Sequence, residues 1–187
     1  MARPRTVTDE AILDAAMALM YREGPDALTF AAVGKMVGLS AATLVQRYPT
    51  KAAFLQAAML RGWDQLDETT AELDRSAPVS PEGAVSLLLA MIPPGLSEAE
   101  NAMGLAILRE DMRDPVLRAR GVAWRNVLSA ALGRRLTQDV AEQQRLGMML
   151  ASQWQGAQLW WGFDQSGPPA EVIGKELRDW CVTVLRR

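Results

Sequence analysis

Apolar residues recur along this chain at helical spacing, and no stretch sustains an alternation of two. That period leaves room for helices and none for a half-buried sheet, so the spacing predicts an all-α fold of nine helices. Local caps and breakers set the ends. Thr8 is placed as an N-cap, with Asp9 and Glu10 in the first turn, where the positive end of the helix dipole favours acids. Ile12, Ala16, Leu19 and Met20 then line one face, and Gly24-Pro25 stops the helix. Thr29 caps a short second helix, Phe30 to about Val37, with Val33, Met36 and Val37 turned inward. Gly38 is placed to take the left-handed conformation that ends it. Ser40 caps a third short helix, Ala41 to about Arg47, closed by Pro49, and Thr50 begins a long fourth helix to about Arg75.

Beyond that point the pattern coarsens but stays helical. Ser80-Pro81 opens a fifth helix, capped by serine with proline at the first helical position, and Pro93-Pro94-Gly95 ends it. Ser97 starts a sixth helix to about Arg113, Asp114-Pro115 a seventh to about Leu136, and an eighth runs from about Gln138 to Phe163. After the loop Asp164–Pro169 a last helix reaches about Leu185. No internal repeat or low-complexity tract interrupts the series.

Composition removes several kinds of chemistry. A chain of 187 residues, 49% hydrophobic and 22% charged, builds a real core of one domain, or of a small domain fused to a moderate one. The longest nearly unbroken apolar run, Ala84 to Ile92, is half of what a membrane span needs. The first residues, MARPRTVTDE, carry no apolar segment behind their arginines and are unlike a secretory signal, so a cytoplasmic protein is expected. The single cysteine, Cys181, has no internal partner, and the chain has no histidine. A zinc site, a histidine-dependent triad and a histidine-bearing di-iron bundle are excluded, and no metal or cofactor is expected. Glu110, Asp111 and Asp114 are interleaved with Arg109 and Arg113 and read as a helix end rather than a cation site. An enzyme working with carboxylates alone is the rival class, and the absence of a convergent nucleophile–base set opposes it.

Charge is split unevenly. Residues 1–55 hold six Lys/Arg against five Asp/Glu, a net of +1, and the remainder holds 14 against 17, a net of −3; the two sum to −2. A pI near 5.3 argues against a general polyanion binder. It leaves room for a small basic surface near the N-terminus, built from Arg3, Arg5, Arg47 and Lys51.

The two short helices joined by Gly38-Leu39-Ser40 have a specific mechanical reading. A helix-turn-helix needs a sharp turn (Gly38), an apolar residue inside it (Leu39) and small residues where the helices touch (Ala32, Ala42). Its second helix then presents polar side chains to the major groove, here Thr43, Gln46 and Arg47, while Leu44 points into the core. By spacing alone, an ordinary three-helix cluster with a glycine turn fits equally well.

The wording of the segment is more specific than its spacing. Thr8 to Ala57, TDEAILDAAMALMYREGPDALTFAAVGKMVGLSAATLVQRYPTKAAFLQA, closely resembles the N-terminal DNA-binding domain of the TetR (tetracycline-repressor-like) family. The resemblance rests on AILDAAMAL, on Gly24 with Leu28-Thr29, on Gly38-Leu39-Ser40, on Ala42-Thr43-Leu44 and on Tyr48-Pro49-Thr50-Lys51. It implies a helix-turn-helix domain over residues 1–50, the motif itself at about 29–47, and an effector-binding and dimerisation domain over 51–187. It implies a homodimer on a palindromic double-stranded operator, more a repressor than an activator, released by a small effector and not bound to a membrane. A regulator without any small-molecule effector is the alternative within DNA binding.

Carried over residue by residue, the resemblance puts Thr29, Thr43 and Lys51 on phosphates, with Ser40 and Tyr48 flanking them. Ala41, Val45, Gln46 and Arg47 take the exposed recognition-helix positions. Val45 stands where tyrosine is frequent, Arg47 where tyrosine or histidine is frequent, and Ala31 where some members place a base-reading arginine, so family operators do not transfer. Gln46 has the chemistry to pair with adenine and Val45 to pack on a thymine methyl, while Arg47 is suited either to guanine or to phosphate. Arg3 and Arg5 are either a minor-groove arm or a solvated tail.

The rest of the chain matches the family in length and helical layout. All six tryptophans and six of the ten methionines lie beyond Lys51. Met59, Trp63, Met91, Met103, Ile107, Trp124, Leu128 and Met149 are the candidate lining of an effector site, suited to a largely apolar molecule. Taken singly, each fits ordinary core packing better, and that a cavity exists at all is implied only by the resemblance. On the last helix Ile173, Leu177, Trp180 and Val184 form one apolar stripe. On the helix before it Gly147, Ala151, Gln158 and Gly162 form a small-residue track, and together these are the expected dimer interface.

Overall fold

The computed structural model describes residues 7–185. Among them the chain is all-helical, with nine α-helices: α1 (Asp9–Glu23), α2 (Phe30–Val37), α3 (Ala41–Arg47), α4 (Lys51–Ser76), α5 (Pro81–Ala90), α6 (Glu98–Arg113), α7 (Pro115–Leu136), α8 (Val140–Asp164) and α9 (Pro169–Leu185). The caps act where expected. Thr8 accepts from the Ala11 N–H, Thr29 from Ala32, Ser40 from Thr43 and Ser80 from Gly83, each at 3.0–3.2 Å. Asp114 caps α7 through the Val116 and Leu117 amides. Three boundaries differ from the sequence reading. A short 3-10 turn, Pro25–Ala27, fills the α1–α2 connection, α5 stops at Ala90 before the prolines, and α8 starts at Val140, not Gln138. The last follows from Asp139, whose carboxylate takes the Ala141 N–H at 3.0 Å and so makes Asp139 the cap.

By packing, the chain falls into two compact units. Their bounds differ from the expected domains, 1–50 and 51–187. One unit holds the chain through Gln65 together with Ala99–Arg120. Its core is Ile12, Met20, Leu28, Val33, Leu44 and Phe54, joined by Met59, Ile107 and Leu117. Phe54 is the hub, with the Phe30 ring stacked at 5.3 Å and the Tyr48 ring at 4.7 Å. Met36, expected inward, is exposed, because eight residues of α2 cover only a narrow face and Val33 with Gly34 occupies it. Polar ties hold the helices in place: Arg61 and Gln65 both donate to Asp14 Oδ1, at 2.8 and 2.7 Å, Trp63 Nε1 donates to Asp111 at 2.9 Å, and Gln56 to Asp114 at 2.7 Å. The acidic trio at the α6–α7 junction is therefore engaged. Burial pushes the Asp111 carboxyl above the usual range, against the Trp63 hydrogen bond that lowers it.

The second unit comprises Leu66–Glu98 and the chain from Gly121 onward. Its core is Val85, Leu88, Leu128, Leu132, Leu150, Ile173 and Leu177. Here α9 packs on α5 and α8. Close approach of α7 and α8 depends on Gly147, where a Cβ would lie 1.8 Å from the Ser129 carbonyl oxygen. Two expectations for the dimer face are corrected by this packing. Ile173, Leu177, Ala151 and Gly147 are buried inside the chain, because the main stripe of α9 and the small-residue track of α8 are used on neighbouring helices of the same copy. Gln158, Gly162, Trp180 and Val184 are half-buried. Large apolar side chains left outside on α8 and α9 are Val140 and Met149 and, toward the end of α8 and on α9, Leu159, Trp160, Phe163 and Val182, with Trp160 68% and Phe163 78% exposed.

Candidate nucleic-acid interface

The turn between α2 and α3 is made by two glycines. Gly38 sits at φ 74, and its N–H and that of Leu39 both return to the Gly34 carbonyl. Gly34 is the position that sequence reasoning missed. A Cβ there would stand 2.5 Å from the Leu39 carbonyl oxygen, so only glycine lets the turn fold back on α2. Ala32 is half-buried and Ala42, also expected at the helix contact, is exposed. Ser40 caps α3 and exchanges a 2.8 Å hydroxyl–hydroxyl bond with Thr43. Leu44 is fully buried, which fixes the rotation of α3 about its axis.

That rotation sorts the candidate residues. Ala41, Val45 and Gln46 are exposed on the outer face of α3, as expected, and Thr29, Ser40 and Lys51 are exposed around it. Lys51 Nζ donates to the Asp26 carbonyl at 3.3 Å, which holds the ammonium at the surface with donors to spare. Thr43 is half-buried. Arg47 differs from the expectation of an exposed reader. Its Nη1 donates to the Val7 carbonyl at 2.9 Å and to Asp9 Oδ1 at 3.0 Å, and its side chain is 28% exposed. The last residue of α3 is thereby tied to the start of α1. Arg3 and Arg5 lie outside the described residues.

Tyr48 completes this junction. Its ring packs on Phe54 and its hydroxyl donates to the same Asp9 oxygen at 3.3 Å. Burial first, then the charge of Asp9 and the hydrogen bond to it, push the phenol from 10.0 up to about 12, and the Arg47 charge offsets this only in part. The raised value means that the folded head holds the phenol proton more tightly than the unfolded chain. The associated stabilisation is complete below pH 10 and is lost as pH rises through about 12. Asp9→Asn keeps an acceptor but removes the charge, and it is expected to bring the Tyr48 titration down while burial still holds it above its ordinary value. Tyrosinate absorbance in a Tyr21→Phe background, needed because Tyr21 is also raised, measures this. An unchanged titration would mean that burial alone sets it.

The eight candidate effector residues do not gather in one unit. Met59, Trp63, Met103 and Ile107 belong to the first and Met91, Trp124, Leu128 and Met149 to the second. Met59 and Ile107 sit in the first unit's core with Trp63 against it, and Met103 packs at Gly24. Leu128 and Trp124 are buried, Met91 is half-buried, and Met149 is exposed, on an open groove of about 580 Å³ between α8 and α9. The Trp124 indole donates to Thr70 at 2.9 Å and lies 6.4 Å from Trp154. Among the described residues no group of His, Cys, Asp and Glu is arranged to hold a metal ion, and no helix is long and apolar enough to cross a membrane.

Residues 12–58 match the model of a family described as bacterial regulatory proteins, tetR family. That span takes in α1 from Ile12, the α2–α3 pair and the first turns of α4. No curated protein matches the chain. Among solved structures it is similar to a TetR transcriptional regulator from Legionella pneumophila, at 16% identity over 95% of this chain and 98% of that one, with a TM-score of 0.70. It is also similar to a candidate transcriptional regulator from Saccharomonospora viridis in complex with choline, at 22% identity over 90% and 92%, TM-score 0.68. A third is Thermus thermophilus FadR, a TetR-family transcriptional repressor in complex with lauroyl-CoA, at 23% identity over 89% and 90%, TM-score 0.52. What these share with the chain is the fold, and the fold is TetR-like.

Proposed function

We propose that this chain, with a TetR-like fold and a TetR-type head, is a DNA-binding transcriptional regulator that represses as a homodimer on a palindromic operator until a small effector releases it. The observation that carries the reading is the α2–α3 pair itself: a tight glycine turn, a buried Leu44 that sets the helix rotation, and an exposed outer face on α3. In this proposal residues 1–50 form the DNA-binding part and 51–187 the part that binds effector and partner. Thr29, Ser40, Thr43 and Lys51 contact phosphate, and α3 enters the major groove. The role is binding rather than catalysis.

Two further observations support the proposed assembly and control. Leu159, Trp160, Phe163 and Val182 leave a large apolar surface on α8 and α9, which a second copy would cover. Trp154 is 7% exposed and its indole N–H has no hydrogen-bond partner, beside Trp124 in the second unit. A buried donor without an acceptor is a natural point of attachment for an effector that supplies one. Choline and lauroyl-CoA, held by two of the similar structures, are chemically unlike, so neither fixes the effector here. A largely apolar molecule suits the methionine and tryptophan content.

Selection from a random pool of double-stranded DNA tests the reading. The protein is expected to enrich a palindrome. Lys51→Ala should weaken binding to every sequence alike and make the salt slope shallower by about one unit, as loss of one phosphate contact requires. A wild-type protein that enriches no sequence would sink the regulator reading.

A further inference from the structure

Given that DNA-binding reading, on which this step rests, we infer that the recognition helix reads A·T pairs through Gln46, Val45 and the two alanines Ala41 and Ala42, and that Arg47 is a positioning residue, not a guanine reader. The argument starts from the helical period. Ala41 with Val45, and Ala42 with Gln46, are four apart, and all four are exposed, so they make one outer face. Thr43 and Arg47, also four apart, are both partly buried and follow the flank that turns toward α1. A recognition helix offers its N-terminal residues to base edges, and here these are Ala41 and Ala42, with Val45 and Gln46 one turn on along the same exposed face; Arg47 lies off that face.

The chemistry of the outer face is narrow: three apolar side chains and one amide. Methyl groups match the thymine C5-methyl, and a glutamine amide matches the N6 and N7 edge of adenine, so both complement the same base pair. Among the described residues the Gln46 amide makes no hydrogen bond within the chain and is ready to do so. Guanine calls for a guanidinium or ammonium at the O6/N7 edge, and the outer face of α3 carries neither. The nearest candidate, Arg47, already spends Nη1 on Val7 and Asp9. Turning it to a base would exchange bonds without adding any, and would leave the Asp9 carboxylate uncompensated beside a polyanion. Held as it is, Arg47 braces the C-terminal end of α3 against the start of α1 and sets the angle at which the outer face meets DNA.

Pool selection with Gln46→Ala, Arg47→Ala and Arg47→Lys proteins, each checked for helical content, tests this. The wild type is expected to yield half-sites with A·T pairs at the positions α3 faces. Gln46→Ala should lower discrimination for adenine at one position of each half-site by roughly 5- to 150-fold. Arg47→Ala should weaken binding to all sequences by a common factor and leave the consensus unchanged. Arg47→Lys should restore most of the affinity, since an ammonium still reaches one acceptor at the junction; this variant also serves if the alanine protein fails to fold. A guanine in the wild-type consensus that disappears with Arg47→Ala or Arg47→Lys overturns the assignment, as does a consensus untouched by Gln46→Ala. A wild type that selects nothing overturns the DNA-binding reading itself, and this one with it.

Discussion

Arg135→Ala is expected to destabilise the protein by about 3–5 kcal/mol, read as an earlier midpoint in denaturant. Arg135 is 4% exposed and sits on α7 with its guanidinium at the end of α4. Nη1 donates to Asp74 Oδ1 at 2.6 Å and to the Ala131 carbonyl at 2.8 Å. Nη2 reaches the carbonyls of Asp74 and Ala77 at 2.7 and 3.0 Å, and Nε that of Pro78 at 3.1 Å. The last carbonyls of a helix have no partner within it, and here a side chain from another helix takes one of them, that of Asp74, together with the carbonyls of Ala77 and Pro78 just past the helix end. Removing the guanidinium strands the Asp74 and Ala77 carbonyls and half of the Asp74 ion pair, although Pro78 still accepts from the Ser80 N–H at 3.0 Å and Arg134 still meets Asp74 at 2.5 Å, which keeps the loss within that range. Arg135→Lys should recover only part, because one ammonium cannot span the fork. A loss below about 1 kcal/mol for the alanine variant would mean that water replaces the guanidinium, and that the buried bonds are worth no more than surface ones.

Trp160→Glu is expected to turn the proposed homodimer into a monomer without unfolding it, and to lower affinity for the proposed operator on the order of 100-fold or more as the two α2–α3 pairs lose their linkage. Trp160 is 68% exposed in the single chain and tilts against Phe163 at 5.6 Å, so a carboxylate there strands no charge in a core. Leu177→Glu provides the contrast. Leu177 is fully buried within one copy, and an unpaired charge at that position should unfold the protein rather than dissociate it. Light scattering with circular dichroism separates the two outcomes. A wild type that is monomeric at micromolar concentration, or a Trp160→Glu protein that stays dimeric, would remove α8 and α9 as the interface.

Which parts of the molecule could be read beforehand depends on the range of the interaction involved. Thr8, Thr29, Ser40, Ser80 and Asp114 each take an amide two or three residues ahead, so the helix starts they make are written in adjacent letters. The left-handed Gly38 is of the same kind. The stripe Ile173, Leu177, Trp180 and Val184 was legible as an apolar face, but periodicity says that such a face is covered, not by what. Two neighbours in the same chain, α5 and α8, proved to cover its centre. The side chains left for a partner lie off that stripe, and no local pattern marks Trp160 or Phe163 as the ones left outside.

The candidate interface divides the same way. On α3 the spacing placed Leu44 in the core and turned Thr43, Gln46 and Arg47 outward, and the family resemblance added Ala41 and Val45; Leu44 is buried and Ala41, Val45 and Gln46 are exposed, whereas Thr43 and Arg47 are partly buried. The fate of Arg47 was not legible in the sequence. Its partners are 40 and 38 residues earlier, at Val7 and Asp9, and an arginine at the end of a recognition helix reads alike whether its charge is free or engaged. The same holds for Arg135, whose acceptors apart from the Ala131 carbonyl lie 57 to 61 residues back, and for Gly34, whose need to be glycine comes from a backbone oxygen folded over it. Helix type, helix ends and the facing of α3 follow from bonds and periods a few residues long, which the sequence by itself determines. Which charges are spent and which apolar faces stay open depends on contacts between residues distant in the chain, and only the tertiary structure decides those.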